Sequence, residues 1–247
     1  MSKPLIAFGL AVLFALAPAP ALPQPAVPSL LEVETVEEVG GFGYTVPPEA
    51  AAIEELAARL EGERGAAAFD FERTRTQFDP EYAGAATIDT LTWIKTWVPM
   101  GQSGRLISLA ASIYVFEGGA HGNTAYDALL WDAGANDAID VTDLFTDRYA
   151  ALAHLDHAFC ARLRAMQAER FGGEQIGEPW ERCPLLHEQA IAPAAAPGGS
   201  FTAFKVVVPP YVAGPYSMGS FEIDLPVGAA LIAMLRPEYR EAFAVNR

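Results

Sequence analysis

The 247-residue chain is poor in the residues from which most reaction centres are built. It has two cysteines, four histidines, and 16 Lys and Arg against 31 Asp and Glu. The shortage of basic residues excludes a surface that attracts nucleic acid or anionic lipid, because long-range attraction here favours cationic partners. No internal repeat occurs. After the first two dozen residues no apolar run is long enough to span a bilayer, so the mature form is expected to have no membrane span.

The apolar run that does exist is short and N-terminal. Lys3 precedes Leu5–Leu16, and Ala19-Pro20-Ala21 has the small residues of a cleavage site. This predicts a signal peptide over 1–21, cleavage after Ala21, and a periplasmic or secreted product. No cysteine follows the run, which argues against a lipid anchor. Without Lys3 the mature net charge is about −16. An oxidising compartment makes Cys160 and Cys183 a disulfide closing a loop of about 22 residues, worth about 3 kcal/mol in the chain-entropy model. A thiolate–imidazole pair of His157 and Cys160 is the competing reading.

The rest of the chain alternates between two periods. Residues 22–31 are a proline-rich leader. Leu31–Val39 alternates apolar and acidic residues and suits an edge strand. Phe42, Tyr44 and Val46 share one face of a short strand stopped by Pro47-Pro48. A helix is predicted over Glu49–Glu61 from the stripe Ile53, Leu56, Ala57, Leu60. Strands are predicted over Ala66–Phe78 and Ala86–Val98, with a turn at Met100–Gly104. Ile107, Leu109, Ala111, Ile113 and Val115 alternate with Ser108, Ala110, Ser112, Tyr114 and Phe116, a central strand covered on both faces. Glu117–Asn123 carries three glycines and turns the chain back into Thr124–Trp131.

Ala133–Asn136 is a turn. Thr146 is a plausible N-cap for a helix whose stripe is Leu152, Leu155, Phe159, Leu163 and Met166, ending at Gly172-Gly173. Leu185–Ile191 fits no single period, and Pro193–Gly199 reads as a connector. Strands are predicted at Phe201–Val208 and Phe221–Leu225, separated by the Pro/Gly/Tyr loop 209–219. Pro226 then opens a closing helix with Val227, Ala230, Leu231 and Met234 inward.

Three segments occur in order: Tyr114–Asn123 (YVFEGGAHGN), Asp143-Leu144-Phe145 before a helix, and Pro210–Tyr216 (PYVAGPY) before a short strand and final helix. Together they resemble the extracytoplasmic module of PdaC-type polysaccharide deacetylases and of RsiV, the lysozyme-binding sigma-V anti-sigma factor. The resemblance is weaker before Leu106 and stronger after it. It implies an α+β fold: an antiparallel or mixed sheet with a central hairpin, one long helix packed on it and a C-terminal helix. It also implies a PdaC-like subdomain over 32–104, an RsiV-like subdomain over 105–247, no settled catalytic activity and no cofactor. In the anti-sigma factor the module binds lysozyme. This chain lacks the cytoplasmic anti-sigma segment and the attached deacetylase domain, so transmembrane signalling is not expected.

His121 is the first candidate side chain. On a Gly-Gly-Ala-His turn it meets a ligand or serves as a base; alternatively its ring nitrogens bond carbonyls and lock the turn. Gly118, Gly119 and Asn123 belong to the same bend. Tyr211, Pro215 and Tyr216 form a second group, rigid amphipathic anchors suited to a protein or sugar surface, or else rings folded back on the sheet. Other constellations are poor. Ser217 misses the G-x-S-x-G elbow by one residue. His154 and His157 are one helical turn apart without a third ligand, and Asn136, Asp137, Asp140 and Asp143 do not match a calcium loop, so no metal is assigned. A glycosidase carboxylate pair has no locatable position. The expectation is an exported, non-enzymatic envelope module recognising a cationic protein such as lysozyme or a cell-wall glycan. A polysaccharide hydrolase or deacetylase using His121, or a scaffold without a small ligand, are the alternatives.

Overall fold

A computed structural model describes residues 28–31, 40–79, 81, 87–173 and 176–246. The predicted signal peptide, most of the leader and residues 32–39 of the expected edge strand lie outside these. In chain order the elements are β1 (Gly41–Thr45), α1 (Pro48–Ala51), α2 (Glu54–Thr76), β2 (Thr92–Ser103), β3 (Leu106–Phe116), β4 (Asn123–Asp132), β5 (Asp137–Ile139), α3 (Arg148–Arg170), β6 (Ala190–Ala194), β7 (Ala203–Val208), β8 (Phe221–Pro226) and α4 (Ala229–Met234), with short 3₁₀ turns between them. The fold is α+β. One sheet runs β1-β2-β3-β4-β5, parallel only at β1–β2, and a second, antiparallel sheet runs β6-β7-β8.

β3 is the middle strand of the larger sheet, and seven residues from Leu106 to Ser112 are buried. Its alternation sends Ile107, Leu109 and Ala111 toward Leu56 and Leu60 of α2, with Trp97 and Trp131 alongside. Ala110 faces Ala192, Ala194 and Val207 of the second sheet. A strand with both faces covered has no polar side, which is why its intervening positions are small or aromatic. β2 and β3 pair across Gly104-Arg105, so segments 32–104 and 105–247 share one sheet.

α2 corrects the largest misreading. Ala66–Phe78 is not a strand, and the helix is not confined to Glu49–Glu61. A one-turn α1 breaks at Ala52-Ile53, and α2 then runs through Thr76. The apparent alternation of 68–77 is coincidental. Asp70 pairs with Arg73 and Glu72 with Arg75 at i,i+3, Ala66–Ala68 favours helix, and Glu54, Glu55, Arg73 and Arg75 complement the helix dipole. Phe69 stays 71% exposed while Phe71 is buried against Phe42.

Met100–Gly104 is not a turn throughout. β2 continues to Ser103 with a register shift between Pro99 and Gly101. At this bulge the Met100 carbonyl accepts from Ala195 N (2.9 Å), joining the two sheets. Gly101 sits at φ +144°, and a β-carbon there would stand 2.9 Å from the Ala195 methyl, so glycine is required. Upstream, the strand expected over Ala86–Val98 begins at Thr92, after a 3₁₀ turn at Ile88–Thr90.

α3 begins one residue later than expected. Asp147 is its N-cap, accepting from Tyr149 N and Ala150 N at 3.0 Å; Thr146 is not. Ala151, Leu155, Phe159 and Leu163 are buried at i,i+4 spacing against Phe204, Val206, Ile223 and Leu225, while Leu152 and Met166 flank that line. Cys160 and Cys183 form the expected disulfide, Cα–Cα 5.7 Å, tying α3 to the following loop. His157 is exposed on the helix and Cys160 is spent in the bridge, so the thiolate–imidazole reading fails.

Part of the expected connector Pro193–Gly199 is β6, which holds Pro193 within a ladder pairing only with β7. Pro226 ends β8 rather than opening a helix. Gly228 caps α4, Val227 and Leu231 are buried, and Ala230 is exposed. Tyr239 closes the core, its hydroxyl donating to the buried Asp132 (2.9 Å) beside Arg105.

Candidate functional site

The two candidate groups, 90 residues apart in sequence, meet at one place. The β3–β4 bend is built on Gly118 at φ +115° and Gly119 at φ +93°, conformations that exclude side chains at little cost only for glycine. Gly122 is needed for a different reason: the Tyr114 ring occupies the space where a β-carbon would stand. This fixes His121 on the outer side of the bend, exposed, with Asn123 exposed beside it at the start of β4.

The opposing wall is the loop after β7. Gln167 of α3 donates to the Ala213 carbonyl (2.6 Å), and Arg170 donates to the carbonyls of Met218 (2.6 Å) and Ser220 (2.7 Å) while lying 4.1 Å over the Phe221 ring. Tyr126 of β4 donates to the Ser220 hydroxyl (2.9 Å). α3 and β4 therefore hold both ends of the loop. Inside it, Pro215 starts a 3₁₀ turn over Tyr216–Met218, and Tyr211 adopts φ +69°. That left-handed conformation costs a bulky L-residue about 1–2 kcal/mol and persists only where neighbours impose it. The Trp180 indole N–H donates to the Tyr211 carbonyl (2.9 Å) and is one such neighbour.

Three rings result. His121 stacks on Tyr216 with centroids 3.6 Å apart and planes 16° apart. Tyr211 lies 6.3 Å from His121 and 5.5 Å from Tyr216, its hydroxyl 3.2 Å from His121 Nε2. His121 Nδ1 is 2.8 Å from the Gly122 carbonyl. A carbonyl only accepts, so Nδ1 carries a proton; on the neutral ring Nε2 then accepts from the Tyr211 hydroxyl. One nitrogen thus bonds a carbonyl and locks the turn, and the other reaches the tyrosine loop instead of a second carbonyl. Neither tyrosine is folded away, since Tyr211 is 49% and Tyr216 36% exposed, with Val212 exposed between them. Among the described residues no Lys or Arg stands over these three rings, whose outer faces meet solvent. The arrangement offers flat, rigid, amphipathic surface with no free ring nitrogen on the imidazole.

The remaining candidates stay apart. Ser217 is exposed within the 3₁₀ turn, away from any strand-to-helix elbow. His154 and His157 are exposed on α3, and no group of three metal-ligating side chains occurs among the described residues. Asp140 caps the 3₁₀ turn at Val141–Leu144 through Thr142 N (2.8 Å), Asp143 pairs with Arg148 (2.8 Å), and Asn136 sits at φ +54° in its turn.

A second polar cluster left little trace in the sequence. Lys95 of β2, 2% exposed, is shared by Glu63 of α2 and Asp127 of β4, the latter at 2.7 Å. Tyr44 donates to Glu63 (2.8 Å) and accepts from the Trp97 indole (2.9 Å). Burial, and then the hydrogen bond to Glu63, push the Tyr44 phenol far above its ordinary range. Only a lysine inside a β-branched, aromatic strand hinted at it, and its partners come from residues 32 positions away on either side.

No family model matches the chain, and no curated protein matches it. Solved structures similar to the chain include two from the DUF3298 family. A DUF3298 family protein from Pseudomonas aeruginosa has a TM-score of 0.39 and 18% identity over 65% of this chain and 69% of its own. A DUF3298 family member from Bacteroides fragilis has a TM-score of 0.38 and 17% identity over 80% of this chain and 74% of its own.

Proposed function

We propose that the chain is an exported, non-enzymatic binding module of the cell envelope, akin to the RsiV and PdaC-type modules, and that it recognises a cationic protein such as lysozyme. The observation that carries this reading is the convergence of His121, Tyr211 and Tyr216 into one stacked, solvent-facing patch, with Tyr211 held in an unfavourable backbone conformation. A fold gains nothing from a strained exposed tyrosine, whereas a binding surface gains a preorganised anchor. Gly118, Gly119, Asn123 and Pro215 form the rim. The mature net charge of about −16 speeds encounter with a basic partner. Export rests on the N-terminal pattern and agrees with the disulfide. Among the described residues no helix is long and apolar enough to cross a membrane.

A cell-wall glycan is the second reading, favoured by the near-parallel His121 and Tyr216 rings at the surface, which match the flat apolar face of a sugar ring. Isothermal titration with lysozyme and with soluble peptidoglycan fragments separates them. Binding to lysozyme that weakens with salt and is lost in Tyr211→Ala/Tyr216→Ala supports the first reading. Salt-independent binding of fragments alone supports the second. Turnover of the fragments, or no binding to either, overturns the proposal.

A further inference from the structure

The Lys95 cluster borders a cavity that the aromatic patch does not explain. It is a half-open cleft of about 270 Å³ between α2, β4 and β5, and its wall includes Arg59, Glu63, Trp97, Asp127, Leu129 and Ala138. This lies just under the roughly 300–1,000 Å³ of drug-sized sites, a volume for one small metabolite.

The wall is bipolar. Glu63 and Asp127 share a single buried lysine, so the three groups carry one excess negative charge, and their side chains are 35% and 49% exposed. Each carboxylate oxygen already holds one donor: Lys95 and the Tyr44 hydroxyl on Glu63, Lys95 and Ala128 N on Asp127. An ionised carboxylate oxygen accepts a second, so acceptor capacity remains. Arg59 lies one helical turn before Glu63 on α2, at the i,i+4 spacing that ordinarily pairs. Glu63 is turned instead to Lys95 and Tyr44, and among the described residues Arg59 has neither a hydrogen bond nor an ion pair. A guanidinium without a partner thus shares a cavity with two carboxylates that have spare lone pairs. Leu129, Ala138 and the Trp97 indole, which share one face of the sheet, supply an apolar flank.

We propose that this cavity binds a free α-amino acid with a small or medium apolar side chain. Its ammonium is held by Glu63 and Asp127, its carboxylate by Arg59, and its side chain lies along Leu129 and Ala138. A simple amine leaves Arg59 unmatched, and a simple carboxylate meets the excess negative charge. Only a ligand bearing both charges answers both walls. Charge-assisted bonds of this kind are the stronger class, so removing either is expected to weaken binding at least tenfold.

The test uses the folded chain and three probes: L-leucine, its decarboxylated analogue isopentylamine and its deaminated analogue 4-methylpentanoate, each titrated to ~10 mM and read by ¹⁵N NMR shifts. Saturable shifts from leucine at residues around 59–63, 127–130 and 138–139, with both analogues at least about tenfold weaker, support the proposal. Arg59→Ala is expected to weaken leucine binding at least tenfold without changing the melting temperature, because Arg59 is exposed on α2. No saturable shift from leucine, isopentylamine binding as tightly as leucine, or leucine binding unaltered in Arg59→Ala would overturn it.

Discussion

Replacing Tyr211 by glycine and, separately, by alanine measures whether the candidate patch stores backbone strain. Both changes remove the same ring, its stacking beside Tyr216 and its bond to His121. They differ only at the backbone. At φ +69° alanine retains the penalty of about 1–2 kcal/mol that tyrosine bears, and glycine does not. Against this, glycine raises the entropy of the unfolded chain, costing about 0.4–1 kcal/mol relative to alanine. The difference leaves Tyr211→Gly more stable than Tyr211→Ala by about 0.5–1 kcal/mol, the reverse of the usual order. For a chain of this size that is a melting-point gap of about 1–4 °C, readable by circular dichroism on the two variants side by side. Alanine equal to or more stable than glycine would refute the argument, because the left-handed conformation would then cost no more than the ~0.4–1 kcal/mol of unfolded-chain entropy.

Other expectations follow from the same geometry. Cys160→Ala/Cys183→Ala unlinks two positions 23 apart in sequence and is expected to lower stability by about 3 kcal/mol, or about 6–12 °C in melting temperature, with the fold retained. Asp132 is pushed up by burial but held below the ordinary carboxylate range by Arg105, Gly134 N and Tyr239. Its contribution is therefore complete above the unfolded carboxylate value near pH 3.9 and is lost as pH falls toward the lower folded value, so Asp132→Asn is expected to flatten the acid limb of a stability–pH curve. Lys95→Met leaves two carboxylates facing each other and is expected to cost about 1–3 kcal/mol in urea unfolding, less than a sealed ion pair because both carboxylates reach water. Adding Glu63→Gln is expected to recover part of that loss.

What could be read from the chain followed the range of the interactions. β3 was legible because its period of two repeats along eleven residues, and α3 because its apolar stripe runs the length of the helix. The disulfide was legible from compartment and count. Residues 66–78 look like a strand because Phe69, Phe71 and the arginines happen to alternate, while the i,i+3 ion pairs that support the helix leave a fainter pattern. β6 was missed because five residues with an internal proline carry no period of their own and become a strand only against β7. Each half of the aromatic patch was visible as a turn of unusual composition, but its assembly was not. His121 and Tyr211 meet only because α3 and β4 anchor the loop after β7. Lys95 shows the same limit: a lone lysine in a strand says nothing of which carboxylates will face it.

The central claim is that the His121, Tyr211 and Tyr216 surface is where the partner docks. Hydrogen–deuterium exchange of the chain with and without saturating lysozyme tests it most directly. Slowed exchange confined to residues 117–123 and 209–218, and absent in Tyr211→Ala/Tyr216→Ala, is the result expected. Protection of α2 or the β8 face instead, or the same protection in the double variant, would contradict the account.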